Sequence, residues 1–476
     1  MTDYPQPPQN SAKLETRMFF FKVLLPIWLA STTYGQGDPK NHTPNATGTG
    51  GWDVAISKTK AFVSQLTAEE KGSLSTGTGF PQDPNNPYQL CQGQTMPIPR
   101  LTFPGFCYID SDTGIGNSYS YGTGFPPGTT VASTWNRALI CARGFAIATE
   151  HKNKGAHAVL GPVLALGRTV SGGTNLEGFG NDPFLIGVAG YETVIGEQAA
   201  GVQADMPGVA ANGGDWGFYG ANLTKSVNNG SVPEWRLNDA ATRIMTPYFL
   251  LGQDRDYPDI NLIDDPHKAI VDSQRQRHRI LAREIAAAGT VLLKNTDGRY
   301  GLPLRKPTTI TLFGPAAGPN PYGPNQYGYG NGVLPSEWTR ANGYSVDSLT
   351  MGIGEGILAG GAGSGYTFFA NNCDNTIVVV QAVGPVNMEQ WIDHPNSTAV
   401  VWANLGGQEL GPALVDILYG DVNPSGRLVY TIARNLSDCA QADIITGPQP
   451  YPQINYTEGI SVDYRGLEKR GIEPRF

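Results

Sequence analysis

Helical and strand-like hydrophobic patterns alternate along the chain from Trp52 to about residue 250. WDVAISKTKAFVSQL is apolar at helical spacing, and Thr67 followed by Glu70 predicts a capping box that opens a second, short helix. ALICARGFAIATEHKNKG predicts a helix ended by Gly155, AHAVLGPVLAL a short buried strand, and FLIGVAGYETVIGEQAAGVQA another helix. This alternation predicts a parallel α/β layout, in which the loops after the strand ends carry the chemistry.

A second series of buried strands and helices follows a charged segment. It begins with REIAAAGTVLLKN and TTITLFGPAAG, and it continues with TIVVVQAVGPV, TAVVWANLGGQELGPALVDILYG and RLVYTIA. These apolar runs predict β-strands that alternate with helices. We therefore expect a first α/β domain over 52–250, a linker over 251–277 and a second α/β domain over 278–476.

The first 51 residues lie outside both predicted domains. Residues 1–36 join a polar preface to the apolar stretch MFFFKVLLPIWLA, which Lys22 interrupts and which is too short to span a bilayer. Basic residues beside an apolar core and a following small-residue stretch predict a secretory signal, with a buried N-terminal helix as the alternative. Residues 37–51 are interpreted as a polar leader.

Composition narrows the possible partners and cofactors. The chain has 476 residues, of which 40% are apolar, and its net charge is −8, so it is a folded protein of two or three domains. No long basic run is present, which argues against nucleic acid as a ligand, and no stable membrane association is expected. Six dispersed histidines and the absence of a Cys-x-x-Cys pattern argue against a metal site, so we predict no cofactor.

Cysteines and glycosylation motifs agree with an extracellular location. Cys91 and Cys107 are close enough in sequence to close a small disulfide loop, and the odd number of five cysteines leaves at least one thiol unpaired. Seven Asn-x-Ser/Thr motifs predict N-glycosylation. They are Asn41, Asn45, Asn222, Asn229, Asn396, Asn435 and Asn455.

Several motifs together resemble glycoside hydrolase family 3, the fungal secreted β-glucosidases. They are CQGQTMPIPRLTFPGFCYIDSDTGIG, FPPGTTVASTWN, EGFGNDPFLIG, AAAGTVLLKNTDGRYGLPL and the run from TIVVVQAVGPV to GDVNPSGRL. The resemblance extends in patches over residues 52–476 and implies a (β/α) TIM-like barrel followed by an α/β sandwich, with the active site between them. VDYRGLEKRGIEPRF resembles the approach to a third, fibronectin-like domain, which we expect to be absent here.

The resemblance also implies a reaction, the retaining hydrolysis of terminal non-reducing β-D-glucosyl residues. This mechanism needs two carboxyl groups about 5–5.5 Å apart, a nucleophile and an acid/base. In the family, these are the Asp of a Ser-Asp-Trp triplet and the Glu of a Ser-Gly-Glu-Gly loop, and neither sequence occurs in this chain. The family pattern breaks between Ala204 and Asp205, so we expect an incomplete barrel that lacks on the order of a hundred residues, at about 30 residues per strand–helix unit.

Two other carboxylates could be mistaken for the missing pair. Asp215, beside Trp216, lies in a Gly-rich loop without an apolar strand before it, so a solvated loop carboxylate is the preferred interpretation over a nucleophile. Glu355, in Gly-Glu-Gly, lies on the wrong side of the neighbouring Gly-Ser-Gly segment. We therefore predict no catalytic residue with the family's roles.

One sugar contact is carried over from the resemblance. Asp110, in CYIDSDTGIG, matches the Asp that binds glucose hydroxyls, and a turn-capping Asp is the alternative. Thr174 replaces a family Arg, which removes a hydrogen-bond donor from the glucose site, while Glu177 is retained and is expected to hold the loop. The sequence thus predicts a β-glucosidase family protein that acts on a β-glucoside or cello-oligosaccharide but is impaired or inactive, with a non-catalytic sugar-binding or structural remnant as the alternative.

Overall fold

The structure is a computed structural model. It describes residues 50–77, 91, 93–110, 113–115, 122–170, 173–205, 219–260, 275–296, 300–305, 307, 310, 371–439, 451, 453 and 455–476. The predicted signal and nearly all of the leader lie outside these residues, as does the predicted strand TTITLFGPAAG apart from Ile310. No helix in the described ranges is both long enough and apolar enough to cross a bilayer.

The first unit has the parallel α/β layout that the hydrophobic pattern predicts. Its sheet has the strand order β1-β2-β3-β4, in which β1 is antiparallel to β2 and the other pairs are parallel. The strands are β1 (Gly93–Gln94), β2 (Cys107–Asp110), β3 (Ala158–Leu160) and β4 (Gln203–Asp205). The helices are α1 (Trp52–Val63), α2 (Ala68–Ser73), α3 (Gly128–Ser133), α4 (Arg137–Asn153), α5 (Pro183–Ala200), α6 (Ala221–Asn228) and α7 (Glu234–Leu250).

The capping box predicted from Thr67 and Glu70 is present and opens α2. The Thr67 hydroxyl accepts a hydrogen bond from the Glu70 amide at 3.2 Å, and the Glu70 carboxylate accepts one from the Thr67 amide at 2.8 Å. Both exchanges satisfy amide groups that have no partner within the first turn of a helix. The local sequence therefore determines where α2 starts.

The expected break between Ala204 and Asp205 falls inside a strand. The helix predicted for FLIGVAGYETVIGEQAAGVQA is confirmed as α5, but the prediction is four residues too long, because α5 ends at Ala200 and Gly201 follows in the left-handed conformation with φ +88°. Only glycine adopts this conformation without strain, and it commonly ends helices. Residues 203–205 then form β4, in which Ala204 pairs with Val159 and Asp205 with Leu160.

The second unit contains a mixed three-stranded sheet within the described residues. Its strand order is β5-β7-β6, with β5 antiparallel and β6 parallel to the central β7. The elements are α8 (Arg275–Ala288), β5 (Val291–Asn295), β6 (Thr376–Val380), β7 (Ser397–Trp402), α9 (Leu410–Tyr419) and α10 (Tyr464–Lys469). The predicted strand RLVYTIA is wrong. Its backbone instead bonds to loops, as the Val429 carbonyl does to the Asn181 amide at 2.9 Å and the Ile432 amide to the Phe476 carbonyl at 2.9 Å.

The two units share one hydrophobic core. Buried Phe125 and Ile147 of the first unit belong to the same cluster as Ile285 on α8 and Trp402 on β7. Polar contacts follow the same boundary: the Gln408 amide donates to the Gly124 carbonyl at 3.0 Å. The bounds 52–250 and 278–476 of the two domains and 251–277 of the linker remain predictions.

Candidate active site

The carboxyl ends of the parallel strands in the first sheet lie side by side. Asp110 is the last residue of β2 and pairs in register with Leu160 on β3, which pairs in turn with Asp205 on β4. In barrel-type α/β folds, the loops that leave these strand ends build the active site. The structure therefore places Asp110 at the edge where the sequence predicts sugar binding.

The start of β2 is held by a disulfide and a buried histidine. Cys91 and Cys107 form a disulfide with their Cα atoms 5.4 Å apart, and both residues are buried. The Cys107 amide donates to Nδ1 of His157 at 3.2 Å. Burial lowers the pKa of His157 to about 4, so its ring is neutral and Nδ1 can accept this hydrogen bond.

The opposite ends of β3 and β4 are closed by the first part of the predicted linker. The Gln253 side-chain amide donates to the His157 carbonyl at 2.8 Å, and the Tyr257 hydroxyl donates to the Ala156 carbonyl at 2.6 Å. The Tyr257 ring stacks on His157 with ring centres 4.9 Å apart. Residues 253–257 therefore pack against the chain just before β3, at the end of the sheet opposite to Asp110.

Glu177 is electrostatically coupled to Asp110. It ends a 3₁₀ turn, Gly173–Glu177, in the loop between β3 and α5, and its side chain is partly buried. Burial raises the pKa of Glu177 to about 7, and the negative charge of Asp110 adds to the increase. Both effects disfavour the ionised form, so the Glu177 carboxyl titrates near neutral pH beside the predicted glucose contact.

The backbone around Glu177 rests on the N-terminus of α3. The Thr129 hydroxyl donates to the Leu176 carbonyl at 3.3 Å. At Gly128, an added Cβ would lie 2.3 Å from the Glu177 carbonyl oxygen and 2.5 Å from that of Gly178. Because only glycine leaves room for these carbonyl oxygens, Gly128 allows the start of α3 to pack directly against the backbone of Glu177 and Gly178.

The same loop reaches the second unit at its other end. Gly180 has φ +101°, and a Cβ there would be 2.4 Å from the Val429 carbonyl oxygen. The next residue, Asn181, donates from Nδ2 to the Asp463 carboxylate at 2.6 Å. Asp463 also accepts from the amides of Thr431 at 3.0 Å and Tyr464 at 2.7 Å, so the loop that carries Glu177 is anchored to both units.

A small cavity lies at this contact. Its volume is about 20 Å³, which is room for about one water molecule and too little for a sugar. It is lined by Gly167, Arg168, Val170, Asn181, Thr431, Cys439, Asp463 and Leu467. We therefore place the candidate site at Asp110 and Glu177 and not in this cavity.

The other residues singled out from the sequence have different positions. Thr174 lies in the 3₁₀ turn beside Glu177, but only its backbone is described. Asp215, Trp216 and Glu355 lie outside the described residues, as do Asn41 and Asn45. Of the other glycosylation motifs, Asn229, Asn435 and Asn455 are exposed, while Asn222 and Asn396 are partly buried.

A buried acid–histidine pair was not foreseen from the sequence. Nδ1 of His278 on α8 lies 2.6 Å from Oε1 of Glu150 on α4, and both side chains are almost fully buried. The second oxygen of Glu150 accepts from the Thr123 amide at 2.8 Å. The two residues are 128 positions apart, and no local sequence signal connects them.

Two family models match the two units. Residues 53–213 match the Glycosyl hydrolase family 3 N terminal domain, and residues 366–464 match the Glycosyl hydrolase family 3 C-terminal domain. The chain belongs to glycosyl hydrolase family 3. This membership confirms the resemblance drawn from the motifs and makes the protein an enzyme of the β-glucosidase type by family.

Relatives and solved structures give the same result. Beta-glucosidase A of Aspergillus kawachii is 30% identical over 630 residues, which covers 92% of this chain and 72% of the relative. The structure of a Chaetomium thermophilum beta-glucosidase superposes with a TM-score of 0.75 at 30% identity, and the match covers 91% of this chain and 73% of that enzyme. Beta-D-glucoside glucohydrolase from Trichoderma reesei has a TM-score of 0.74 at 28% identity, with 90% and 80% covered.

Proposed function

We propose that this chain binds the terminal non-reducing β-D-glucosyl residue of a β-glucoside or cello-oligosaccharide through Asp110 and is impaired or inactive in hydrolysis. The observation that carries the proposal is the position of Asp110 at the carboxyl end of β2, coupled to the carboxyl of Glu177. A carboxylate that accepts two sugar hydroxyls is a strong and oriented anchor. Because Thr174 replaces an arginine, the site lacks a guanidinium that would donate hydrogen bonds to the sugar, so we expect weak binding of glucose.

The proposed loss of hydrolysis follows from the chemistry of retention. A nucleophile and an acid/base must face each other across the glycosidic bond. The sequence lacks both Ser-Asp-Trp and Ser-Gly-Glu-Gly. Within the described residues the first sheet has three parallel strands, and the alignment to the Aspergillus kawachii enzyme extends over 630 residues against 476 in this chain, which supports internal gaps and an incomplete barrel.

A second candidate is residual hydrolysis by the Asp110–Glu177 pair itself. Glu177, with its pKa raised to about 7 by burial and by Asp110, is a proton donor near neutral pH. Carboxyl pairs whose environments separate their pKa values perform acid and nucleophile roles in glycosidases. The third possibility is a structural remnant of the family that binds no sugar.

The purified full-length chain separates these functions. We expect no turnover of 4-nitrophenyl β-D-glucoside and a measurable calorimetric affinity for glucose that falls about tenfold or more in Asp110→Asn, as expected for hydrogen bonds to a charged group. Asp416→Asn, which alters a surface carboxylate paired with Arg283, is the matched control and should leave glucose binding unchanged.

Other results would assign other functions. Turnover that disappears in Asp110→Asn and in Glu177→Gln, but not in Asp416→Asn, would establish the second candidate. Turnover abolished by Asp215→Ala would show that Asp215 is the nucleophile. If the unaltered chain neither binds glucose nor hydrolyses the substrate, the third possibility, a structural remnant of the family, would be supported.

The proposal includes an extracellular location and a role in the breakdown of cellulose or other β-glucans. It is supported by the signal-like residues 1–36 and by the Asn-x-Ser/Thr motifs. The extracellular location is tested by expressing the chain in a fungal host and determining the N-terminal sequence of the protein recovered from the culture medium. A protein that stays inside the cell with residues 1–36 intact would contradict the location.

A further inference from the structure

The segment from Tyr451 to Tyr464 exposes large apolar side chains. Tyr451, Tyr456, Ile460 and Tyr464 are 85%, 63%, 87% and 43% exposed. Each exposed aromatic ring offers an apolar face on which a ligand can pack.

Two of these rings are held in fixed positions by charged partners. The guanidinium of Arg168 lies 4.6 Å from the centre of the Tyr456 ring, and that of Arg465 lies 4.7 Å from the centre of the Tyr464 ring. The Tyr464 hydroxyl also donates to the Asp182 carboxylate at 2.8 Å. A guanidinium on one face leaves the opposite face for a ligand, and a fixed ring loses little entropy when a ligand stacks on it.

A glycosylation motif lies within this surface. Asn455-Tyr456-Thr457 is an acceptor sequence, and Asn455 and Thr457 are both exposed. The Thr457 amide donates to the Asn455 carbonyl at 2.8 Å, which closes a tight turn around Tyr456. Among the described residues the Asn455 side chain makes no hydrogen bond, whereas Nδ2 of Asn435 is engaged with Asp438 at 3.1 Å.

We propose that Asn455 carries an N-linked glycan whose first sugar units pack on the exposed face of Tyr456. In the transfer, Nδ2 of Asn455 bonds to the anomeric carbon of the first N-acetylglucosamine of a lipid-linked oligosaccharide. The bond from that carbon to the lipid pyrophosphate breaks, the lipid pyrophosphate leaves, and the amide nitrogen loses one proton, so no oxidant or reductant is needed. The C–H face of the sugar meets the aromatic ring, and its polar rim meets the charged groups beside it.

Attachment to the neighbouring residue makes this contact intramolecular. The effective concentration of a sugar tethered one residue away reaches the millimolar range or above, so weak stacking is sufficient for occupancy. Arg168 contacts Tyr456 and also forms an ion pair with Glu458, which joins the segment to the loop that carries Glu177. The glycan therefore stabilises the contact between the C-terminal segment and that loop.

The experiment uses the full chain secreted from a eukaryotic host. Peptide mass spectrometry should find a glycan on Asn455. Asn455→Gln should lower Tm by about 1 °C, as expected for a change of about 1 kcal/mol in a cooperative unit of this size, and should speed amide exchange over residues 455–470. Asn229→Gln, at the exposed motif between α6 and α7, is the control for amide exchange over residues 455–470 and should leave it unchanged.

A second variant tests the contact with the ring. Tyr456→Ala keeps the acceptor motif, so it should retain the glycan and yet lower Tm at least as much as Asn455→Gln does, because it also removes the contact with Arg168. Since Tyr456→Ala already removes the contact between sugar and ring, the double variant should lose no more than Tyr456→Ala alone. Retention of the chain inside the cell, an unmodified Asn455, equal effects of Asn455→Gln and Asn229→Gln on this amide exchange, or additive losses would each overturn the proposal.

Discussion

At the residue scale, Glu177 makes stability depend on pH. The folded-state pKa of about 7 lies above the ordinary value of 4.5, because burial and the charge of Asp110 oppose ionisation. Between these two values the folded chain holds the Glu177 proton more tightly than the unfolded chain does. Stability therefore falls as pH rises from about 4.5 to about 7 and does not change further through this group above that range.

Glu177→Gln should remove this dependence. We expect the variant to be more stable than the unaltered chain at pH 8 by about 1–2 kcal/mol, which is less than the full linkage value because Glu177 is partly exposed. At pH 4 the two chains should be equally stable. Urea unfolding at both pH values measures the difference, and Glu473→Gln, at an exposed position near the C-terminus, is the control. Equal stability of the two chains at pH 8 would contradict the coupling.

His278 and Glu150 give a second prediction at this scale. His278→Ala leaves the Glu150 carboxylate buried with one of its partners removed, so we expect a loss of about 3 kcal/mol in urea unfolding. Arg283→Ala on the same helix breaks an ion pair whose arginine is 47% exposed, and it should cost less than about 1 kcal/mol. Similar losses in the two variants would show that the buried pair has no special importance.

At the scale of elements, the close approach of α3 to the 3₁₀ turn positions Glu177. Gly128→Ala places a Cβ against the Glu177 and Gly178 carbonyls, so we expect a loss of about 1–3 kcal/mol together with weaker glucose binding. Gly187→Ala on α5 meets no atom within 4 Å and should stabilise the chain by up to about 1 kcal/mol. Thermal unfolding and glucose titration measure both effects. Unchanged glucose binding in Gly128→Ala would separate this contact from the site.

Element prediction from the sequence was good where local rules apply and poor where they do not. Thr67 and Glu70 signalled the start of α2 because a capping box involves only neighbouring residues. RLVYTIA was wrongly predicted as a strand, because its apolar pattern reports burial but not the partner of its backbone. That backbone pairs with Asn181 and Phe476, which are distant in sequence.

At the scale of the whole molecule, the shared core predicts cooperative unfolding. Phe125, Ile285 and Trp402 belong to one buried cluster although they come from different units. We expect a single calorimetric transition in which the calorimetric and van't Hoff enthalpies agree. Phe125→Ala, which should cost about 3–5 kcal/mol, would move that one transition to lower temperature as a whole. Two transitions, of which only one moves, would show independent domains.

The sequence alone indicated the family, through motifs that resemble it, and the α/β class, through its hydrophobic period, because both signals depend on residues that are close together in the chain. It also showed that Ser-Asp-Trp and Ser-Gly-Glu-Gly are missing. Only the tertiary structure decided that Glu177 is coupled to Asp110, that Glu150 pairs with His278, and that β4 runs through Asp205. These facts depend on desolvation and on contacts between distant residues, and both arise only when the chain is folded.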